Sequence, residues 1–289
     1  MEKSVETIVP KAPDDDFAGR FREIVSDPTN LLIDRHPMAG HLADGLVTLH
    51  NGISVPIAGT GAYYGDFSMI LVYNRGVHEP LEEYIFQQLL KVLREDPVML
   101  ELGAYWAHYS MWLKRVRPGA TVYLVEPETE NFEAGKANFQ RNGLEGEFIQ
   151  EFVGHGHFAV DAFLASRGIG HLDVLHADIQ QYELQMLDGA VDTLSSHAVD
   201  YVFISTHSAD LHTLVHDRLA GWGYRIEASS DFDHATTSFD GLVFASSPRK
   251  PRLLGYFEPF SRSELGRLTS AAALERLQRA VGTPPQDDR

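Results

Sequence analysis

The sequence predicts an α/β protein built on a doubly wound, mostly parallel sheet, preceded by a small β-hairpin lobe. Three observations support this prediction. After Pro97, apolar segments of strand length alternate with amphipathic helices. A strand ending in acid-x-Gly runs directly into a helix at "MLELGAYWAHYS", Met99 to Ser110. Within "GLVTLHNGISVPI", the pair Asn51-Gly52 is a strong hairpin signal, because its turn positions favour positive φ.

Composition excludes several classes of protein. The chain of 289 residues has 24 basic and 41 acidic residues and a net charge of −17, which argues against nucleic-acid binding. It has no cysteine, so disulfides, thiolate metal sites and cysteine nucleophiles are excluded. No apolar run approaches the roughly 18 residues of a membrane span, and the N-terminus lacks a signal-peptide pattern. We therefore expect a cytoplasmic protein without a membrane partner, its oligomeric state open and a homodimer one option.

The chain is expected to fall into four segments. Residues 1–16 read as a disordered tail, and residues 17–78 as an N-terminal helix with a β lobe, in which "FSMILVY" (Phe67 to Tyr73) is a further strand. Residues 79–258 form the main domain. Residues 259–289 supply one amphipathic helix, "SRSELGRLTSAAALERLQRAVG", and a tail.

The main domain contains seven predicted strands. They are "VMLELG", "TVYLVEP", "EFIQEFVG", "LDVLHAD", "DYVFIST", "YRIEASSDF" and "GLVFASS", the last two a candidate antiparallel hairpin. "YELQMLDGAVDTLSS" is one of the predicted connecting helices. The helix before the first strand opens with Glu79, Glu82 and Glu83, which we interpret as favourable charge at a helix N-terminus. The alternative is that this segment lines the mouth of a substrate site.

The turn at Gly103 marks a candidate cofactor loop. Ligands of doubly wound sheets bind at the carboxyl ends of strands. The G-x-G-x-x-G pattern is missing, so a nicotinamide or flavin dinucleotide is not indicated. Glu126, at the end of the next strand, is placed to bind a ribose hydroxyl pair. S-adenosylmethionine (SAM) has a ribose but no pyrophosphate and so needs fewer glycines; the alternative is an ordinary strand–turn–helix.

Three ordered blocks resemble the FkbM-type SAM-dependent methyltransferases. "ELGAYWAHYS" is similar to that family's loop, acid-x-Gly-Ala-Asn-x-Gly-x-Tyr-Ser. "VYLVEPETENFEAGKANFQRNG" is similar to its acid-Pro segment and helix, and "LDVLHADIQQYELQMLDGA" to its block Asp-Ile-(Glu or Gln)-Gly-x-Glu. Three positions depart from the pattern: Tyr105, Ala107 and Gln181. Tyr105 stands where the family has a small polar residue, so it could stack on or crowd the methionine end of SAM.

The resemblance implies a seven-stranded, Rossmann-like class I methyltransferase fold with SAM as cofactor. It places cofactor-binding residues in the loop, at the ribose and beside the adenine: Glu101, Gly103, Ala104 and Tyr105; Glu126; and the segment around Gln150 to Phe152, which includes Glu151. Asp178 would lie beside the reacting methyl group. The implied activity is O-methylation of a hydroxyl on a small molecule, sugar or secondary metabolite, with a small-molecule or glycan acceptor as partner.

Asp178 and His207 end neighbouring strands over the same cleft. Metal-assisted O-methyltransferases of this fold place divalent-ion ligands there, with Asp231, His234 or His212 as a third ligand here. Such a mixed set suits Mn, Fe, Zn or Ni better than Mg. Alternatively, His207 is a general base, or both residues only cap strand ends. At the level of function, the alternatives are a non-catalytic SAM-fold binding module and a metal-dependent enzyme of this fold with other chemistry.

Overall fold

The computed structural model describes residues 17–63, 65–231, 240–255 and 257–281, so the predicted tail 1–16 lies outside the described residues. The N-terminal region begins with helix α1 (Phe17–Ser26) and a 3₁₀ helix (Pro28–Leu31). Three short strands follow, β1 (Leu42–Ala43), β2 (Leu46–Thr48) and β3 (Ser54–Pro56). They form an antiparallel sheet in that order.

The predicted hairpin is present, as β2 and β3. Val47 faces Val55 across the pair, and both are fully buried. At the turn, Gly52 has φ +82°, and its N–H donates to the carbonyl of Leu49 at 3.0 Å. Asn51 does not take a positive φ. Its side-chain oxygen instead accepts from the Ile53 N–H at 3.1 Å, so the amide stabilises the turn through its side chain.

The strand predicted over Phe67 to Tyr73 is wrong. This segment forms a 3₁₀ helix (Gly65–Met69) that continues into helix α2 (Ile70–Tyr73). Ile70 and Leu71 are fully buried, whereas Tyr73 is 67% exposed. Over such a short apolar run, hydrophobic periodicity does not distinguish a strand from a helix, and here packing decides the outcome.

The main domain alternates strands and helices as predicted. Its elements are α3 (Pro80–Val92), β4 (Val98–Leu102), α4 (His108–Val116), β5 (Thr121–Val125), α5 (Thr129–Arg141), β6 (Glu147–Ile149), α6 (Val160–Arg167), β7 (Leu172–Ala177), α7 (Glu183–Asp188), α8 (Val191–Ser195), β8 (Val199–Thr206), α9 (Ala209–Gly221), β9 (Arg225–Ser230) and β10 (Gly241–Ser246). The helix predicted over "YELQMLDGAVDTLSS" is two helices, α7 and α8, separated at Gly189. Within the described ranges, no helix has the length and apolar character that crossing a bilayer requires.

The seven strands form one sheet in the order β6-β5-β4-β7-β8-β10-β9. Pairing is parallel from β6 to β8, and β10 runs antiparallel to both β8 and β9. The predicted closing pair is therefore present, with β10 inserted between β8 and β9. Strand order reverses between β4 and β7, so the fold places its ligand-binding crevice at the carboxyl ends of those strands. This is the predicted doubly wound, mostly parallel, seven-stranded sheet.

Two apolar clusters cover the faces of the sheet. One includes Met99, Val174 and Phe203 and also takes in Val47 and Ile70 of the N-terminal region. The other is formed largely by the opposite side chains of the same strands together with helices α6 to α9. The N-terminal region thus shares a core with the main sheet, which positions it beside the crevice.

The predicted C-terminal helix is two helices, α10 (Arg262–Leu265) and α11 (Ser270–Val281). Each has its own cap. Ser261 Oγ accepts from the Glu264 N–H at 3.0 Å, and Thr269 Oγ1 accepts from the Ala272 N–H at 3.3 Å. A second N-cap inside the apolar pattern therefore starts a second helix.

Candidate active site

The loop after β4 keeps a left-handed backbone with few glycines. Gly103 has φ +75°, and the departures from the family pattern, Tyr105 and Ala107, have φ +44° and +67°. Gln181, the third departure, has φ +75°. Non-glycine residues pay about 1–2 kcal/mol for this conformation. The backbone shape that glycine or asparagine favours is therefore retained where the side chains differ.

The predicted loop residue Glu101 is buried beneath this loop. Its Oε2 accepts from the N–H of Ser110 at 3.1 Å, in the first turn of α4. Burial raises the pKa of Glu101, and the charge of His176 opposes this rise. Glu101 thus fastens the end of β4 to α4, while the neighbouring Ala104 is 3% exposed and lines a small cavity beside it.

Glu126 holds the loop from the end of β5. Its Oε2 accepts from the N–H of Tyr105 at 2.9 Å, and its Oε1 accepts from the N–H of Glu128 at 3.0 Å. Burial raises the pKa of Glu126, and these two hydrogen bonds oppose the rise. The carboxylate lies at the edge of a cleft, where it is able to accept further hydrogen bonds.

That cleft lies at the carboxyl ends of β4, β5 and β7 and has a volume of about 490 Å³. Its lining comprises Gly103, Tyr105, Glu126, Pro127, Glu128, Asn131, Phe152, Val153, Asp178, Ile179, Gln180 and Tyr182. Four of the predicted site residues, from three different strand ends, therefore line one cavity. Its size is that of a small-molecule or cofactor pocket.

Of the segment predicted to flank the adenine, Gln150 to Phe152, only the last residue lines the cleft. Gln150 and Glu151 are both exposed, and Gln150 Nε2 donates to Thr129 Oγ1 at 2.7 Å. The residues of this segment that line the cleft are Phe152 and Val153. The Phe152 ring packs edge-to-face on Tyr182 at 4.5 Å. The polar pair follows β6 outside the cleft, and the aromatic residue after it lines the cleft.

Tyr105 turns its side chain toward the N-terminal region. Its hydroxyl donates to the carbonyl of Ala62 at 3.3 Å, and its ring lies 6.4 Å from that of Tyr63. Asn138 of α5 reinforces this junction, since its Nδ2 donates to the carbonyls of Gly61 at 3.0 Å and Trp106 at 3.1 Å. Tyr105 therefore lines the cleft and at the same time fixes the loop to the segment before α2.

Asp178 and His207 meet, as the topology predicts. His207 Nε2 lies 3.2 Å from Asp178 Oδ1, and its Nδ1 lies 2.5 Å from Oε1 of the fully buried Glu183. Asp240 is the next carboxylate, 3.8 Å from Nε2. Burial lowers the pKa of His207, but hydrogen bonds to Asp178 and Glu183 outweigh it and raise the pKa to about 11. The pair with His207 holds the pKa of Asp178 below its ordinary value despite burial.

Glu183 is a site residue that the sequence reasoning did not select. It is the last residue of the Asp-Ile-(Glu or Gln)-Gly-x-Glu block, which was the signal for it. Its position at the start of α7 brings it under His207, five residues after Asp178 in the chain. The three side chains form an acid–imidazole–acid chain at the edge of the cleft.

The metal set proposed with Asp178 and His207 remains a prediction. His234 lies outside the described residues. His212 is hydrogen-bonded on both nitrogens, to Thr206 Oγ1 at 2.9 Å and Ser229 Oγ at 2.8 Å. Within the described part of the chain, the groups spaced to hold a cation include neither Asp178 and His207 nor Asp231. They are His50 with Glu83 and His108, and His171 with Asp173 and Asp200.

The acids that open α3 face inward and pair with histidines. Glu82 Oε1 lies 2.5 Å from His176 Nε2, and Glu83 Oε1 lies 2.5 Å from His78 Nδ1. Glu79 accepts from the Tyr109 hydroxyl at 2.8 Å, and burial raises its pKa to about 7. Glu83 also accepts from the backbone N–H groups of His78 and Glu79 at the helix N-terminus, which agrees with the favoured interpretation. The alternative, in which the segment lines the site, fits Glu79.

These inward side chains enclose a small cavity of about 30 Å³ next to the cleft. Its lining includes His78, Glu79, His108, Tyr109 and His176. Gly103, Tyr105 and Asp178 line both this cavity and the cleft. The cleft therefore has a polar, histidine-rich inner wall.

Residues 157–226 match the family described as "Methyltransferase FkbM domain". Three solved structures are similar to the chain. The precorrin-6y C5,15-methyltransferase of Geobacter metallireducens GS-15 is 14% identical, with a TM-score of 0.42, covering 57% of this chain and 87% of that one. The ribosomal protein L11 methylase of Lactobacillus delbrueckii subsp. bulgaricus is 14% identical, with a TM-score of 0.42 and coverages of 57% and 77%. M. capricolum TrmK, in complex with S-adenosyl-homocysteine, is 12% identical, with a TM-score of 0.40 and coverages of 56% and 67%.

No curated protein matches the sequence. The family match extends from before α6 into β9 and includes Asp178, Glu183 and His207. The sheet order is that of a doubly wound fold, and the cleft lies at the strand ends where such folds bind ligands. The FkbM resemblance seen in the sequence is confirmed by the family match over residues 157–226.

Proposed function

We propose that the chain transfers the methyl group of SAM to a hydroxyl oxygen of a small-molecule or glycan acceptor. The observation that carries the proposal is the position of Asp178, which lines both the cleft and the polar inner cavity. An acceptor bound against Asp178 would lie beside a cofactor in the cleft. A carboxylate there suits a hydroxyl, because it accepts the hydrogen bond that a hydroxyl donates.

The residues lining the cleft fit SAM. Glu126 offers an acceptor for ribose hydroxyls, and Phe152 with Tyr182 offers an apolar surface for a purine. Gly103 brings backbone close to the site, where a side chain would collide. When bound, SAM supplies an electrophilic methyl group on a sulfonium. The rest of the chemistry is positioning, which in such displacements supplies much of the rate.

Asp178 holds the acceptor in this proposal, and His207 holds Asp178. The pair is an ion pair at neutral pH, because the pKa of His207 is raised to about 11 and that of Asp178 is lowered. Asp178 therefore accepts the hydrogen bond of the acceptor hydroxyl and orients its oxygen. A protonated His207 is not a general base, so we assign it to fixing the carboxylate, with Glu183 fixing its far nitrogen.

A methyl-transfer assay with isotopically labelled SAM tests the proposal. Alcohol-bearing small molecules and sugars are offered as acceptors, with and without added Mg²⁺, Mn²⁺ or Zn²⁺, and the product is analysed by NMR for the atom methylated. We expect an O-methyl product. Asp178→Asn should lower kcat by about 10²-fold or more with little change in affinity for S-adenosylhomocysteine. The matched control, Asp217→Asn at an exposed position of α9, should behave as wild type.

An N-methyl or C-methyl product would contradict the hydroxyl assignment. Unchanged turnover in Asp178→Asn would remove Asp178 from the site. Tight S-adenosylhomocysteine binding with no turnover on any acceptor would instead support a non-catalytic binding module. Turnover that depends strictly on an added cation would support metal assistance.

A further inference from the structure

Three side chains from separate segments meet beneath the first turn of α4. His50 follows β2, Glu83 lies in the first turn of α3, and His108 is the first residue of α4. One ligand atom from each lies within 4.8 Å of the other two. None of the three residues is more than 2% exposed. Two imidazoles and a carboxylate thus face one another inside the core.

Several polar atoms of this trio are not satisfied by the protein. Within the described part of the chain, Nδ1 of His50 and both nitrogens of His108 are buried without a hydrogen-bond partner. His50 Nε2 lies 2.7 Å from Glu83 Oε2, close enough for an ion-pair contact. A buried polar atom left unpaired costs about 1–3 kcal/mol. A ligand shared by all three side chains would remove several such costs at once.

The remaining oxygen of Glu83 is held in place. Oε1 accepts from the backbone N–H groups of His78 at 2.8 Å and Glu79 at 3.0 Å, and it lies 2.5 Å from His78 Nδ1. These contacts leave Oε2 facing His50. Partners of this kind orient the carboxylate ligands of metal sites.

We propose that His50, Glu83 and His108 bind a Zn²⁺ ion. Two histidines and one carboxylate are a known zinc donor set, with ligand distances of about 2.0–2.2 Å. Tetrahedral ligand atoms at those distances lie roughly 3.4 Å apart, so the His50–Glu83 contact would lengthen as the ion enters between the two side chains. A water in the small cavity, which His108 also lines, can supply a fourth ligand. His50 also lines an open surface pocket of about 490 Å³, which gives the ion access.

The site would join three parts of the fold. His108 directly follows Ala107, the left-handed residue that ends the cofactor loop, and His50 belongs to the β2–β3 hairpin. An ion bound by both would tie that hairpin to the start of α4. Zn²⁺ is therefore a structural ion in this proposal, and it should raise the melting temperature through preferential binding to the folded chain.

Zinc titration of the chelator-treated wild-type protein is the first test, and it uses neither SAM nor an acceptor. We expect saturable binding of one Zn²⁺ per chain and a rise in melting temperature. X-ray absorption spectra of the complex should show two imidazole ligands on the zinc. Failure to bind one equivalent, or a spectrum without two imidazoles, would overturn the proposal. A failure of the methyltransferase assay would leave this result unaffected.

A pair of matched variants locates the ion. His108→Phe keeps an aromatic ring where the imidazole now stacks on Trp106 at 5.3 Å and 17°. His171→Phe makes the same change in the other cation-spaced group, with Asp173 and Asp200. We expect His108→Phe to weaken zinc binding at least 100-fold and His171→Phe to leave it unchanged. Circular dichroism checks that each variant is folded. If His108→Phe does not fold, the X-ray absorption spectrum of the wild-type complex decides whether two histidines bind the zinc. Binding retained in folded His108→Phe, or lost in His171→Phe, would contradict the assignment.

Discussion

A Cβ atom on Gly103 would lie 1.8 Å from the carbonyl oxygen of Asp178, so the turn after β4 and the end of β7 touch backbone to backbone. The same junction is held by a hydrogen bond from the Asp178 N–H to the Leu102 carbonyl at 2.9 Å. The cofactor loop and the proposed acceptor-binding carboxylate are therefore one rigid unit. A substitution at either strand end should therefore shift the backbone at both.

Gly103→Ala should abolish binding of S-adenosylhomocysteine and lower the melting temperature. The added methyl group collides with a backbone atom that cannot move aside as a flexible side chain would, and φ +75° adds strain. The matched control is Gly143→Ala, where φ is +64° but no atom lies within 4 Å of the new Cβ. That variant should lose only about 1 kcal/mol of stability and bind as wild type. Calorimetry and thermal unfolding measure both; equal behaviour of the two variants would refute the close-contact argument.

Glu126→Gln should weaken binding of S-adenosylhomocysteine by about 10–100-fold, because a hydrogen bond to a charged group is worth about 1.5–3 kcal/mol. The NH₂ group of glutamine also cannot accept a hydrogen bond. The variant therefore loses one of the two bonds that the Glu126 oxygens now accept from the backbone N–H groups of Tyr105 and Glu128. Glu133→Gln, an exposed change on α5, is the control and should bind normally. An affinity for Glu126→Gln within twofold of wild type would rule out a ribose contact.

Gln181→Gly should stabilise the protein by about 0.5–1 kcal/mol. The residue is exposed and held at φ +75°, where a side chain is strained and glycine is not. A Gln-to-Gly substitution inside a helix should change the free energy of unfolding in the opposite direction. Gln88→Gly in α3 should destabilise the protein by about 1 kcal/mol. Urea unfolding of both variants gives the two free energies. A loss of stability in Gln181→Gly would mean that its side chain makes a contact worth more than the strain.

The stabilising effect of His207 should depend on pH. Its pKa is raised from 6.5 to about 11 in the folded chain by its hydrogen bonds to Asp178 and Glu183, which outweigh burial. A group whose pKa is raised on folding contributes its full stability below pH 6.5, and loses it as pH rises toward about 11. The unfolding free energy of wild type should therefore exceed that of His207→Gln most at pH 6, and the difference should shrink by pH 10. A difference that stays constant between these pH values would show that His207 is not protonated in the folded state.

The sequence predicted the site best where a local pattern fixes the backbone. The acid-x-Gly loop, Glu126 and Asp178 were found because strand ends in a parallel sheet converge at one edge. The adenine-flanking segment was predicted around Gln150 to Phe152, and only Phe152 of these lines the cleft, because a short strand such as β6 does not show in the sequence where it ends. The structure has a helix over Ile70–Tyr73 in place of the predicted strand, because apolar residues in a short run suit either structure.

The histidine-rich inner wall was not predicted, for a different reason. Its members come from segments far apart in the chain, such as His78, His108 and His176, and no spacing rule connects them. Glu79 was interpreted as favourable charge at a helix N-terminus, and that interpretation does not indicate burial. Only the docking of the N-terminal region on the main sheet buries these groups together. Tertiary packing therefore determines this part of the site.

Titration of the wild-type protein with S-adenosylhomocysteine, beside Gly103→Ala, tests the central claim most directly. The account predicts saturable binding of one ligand per chain for wild type and no measurable binding for the variant. Absence of binding by folded wild-type protein, with or without added Zn²⁺, would contradict the assignment of the cleft as a SAM site.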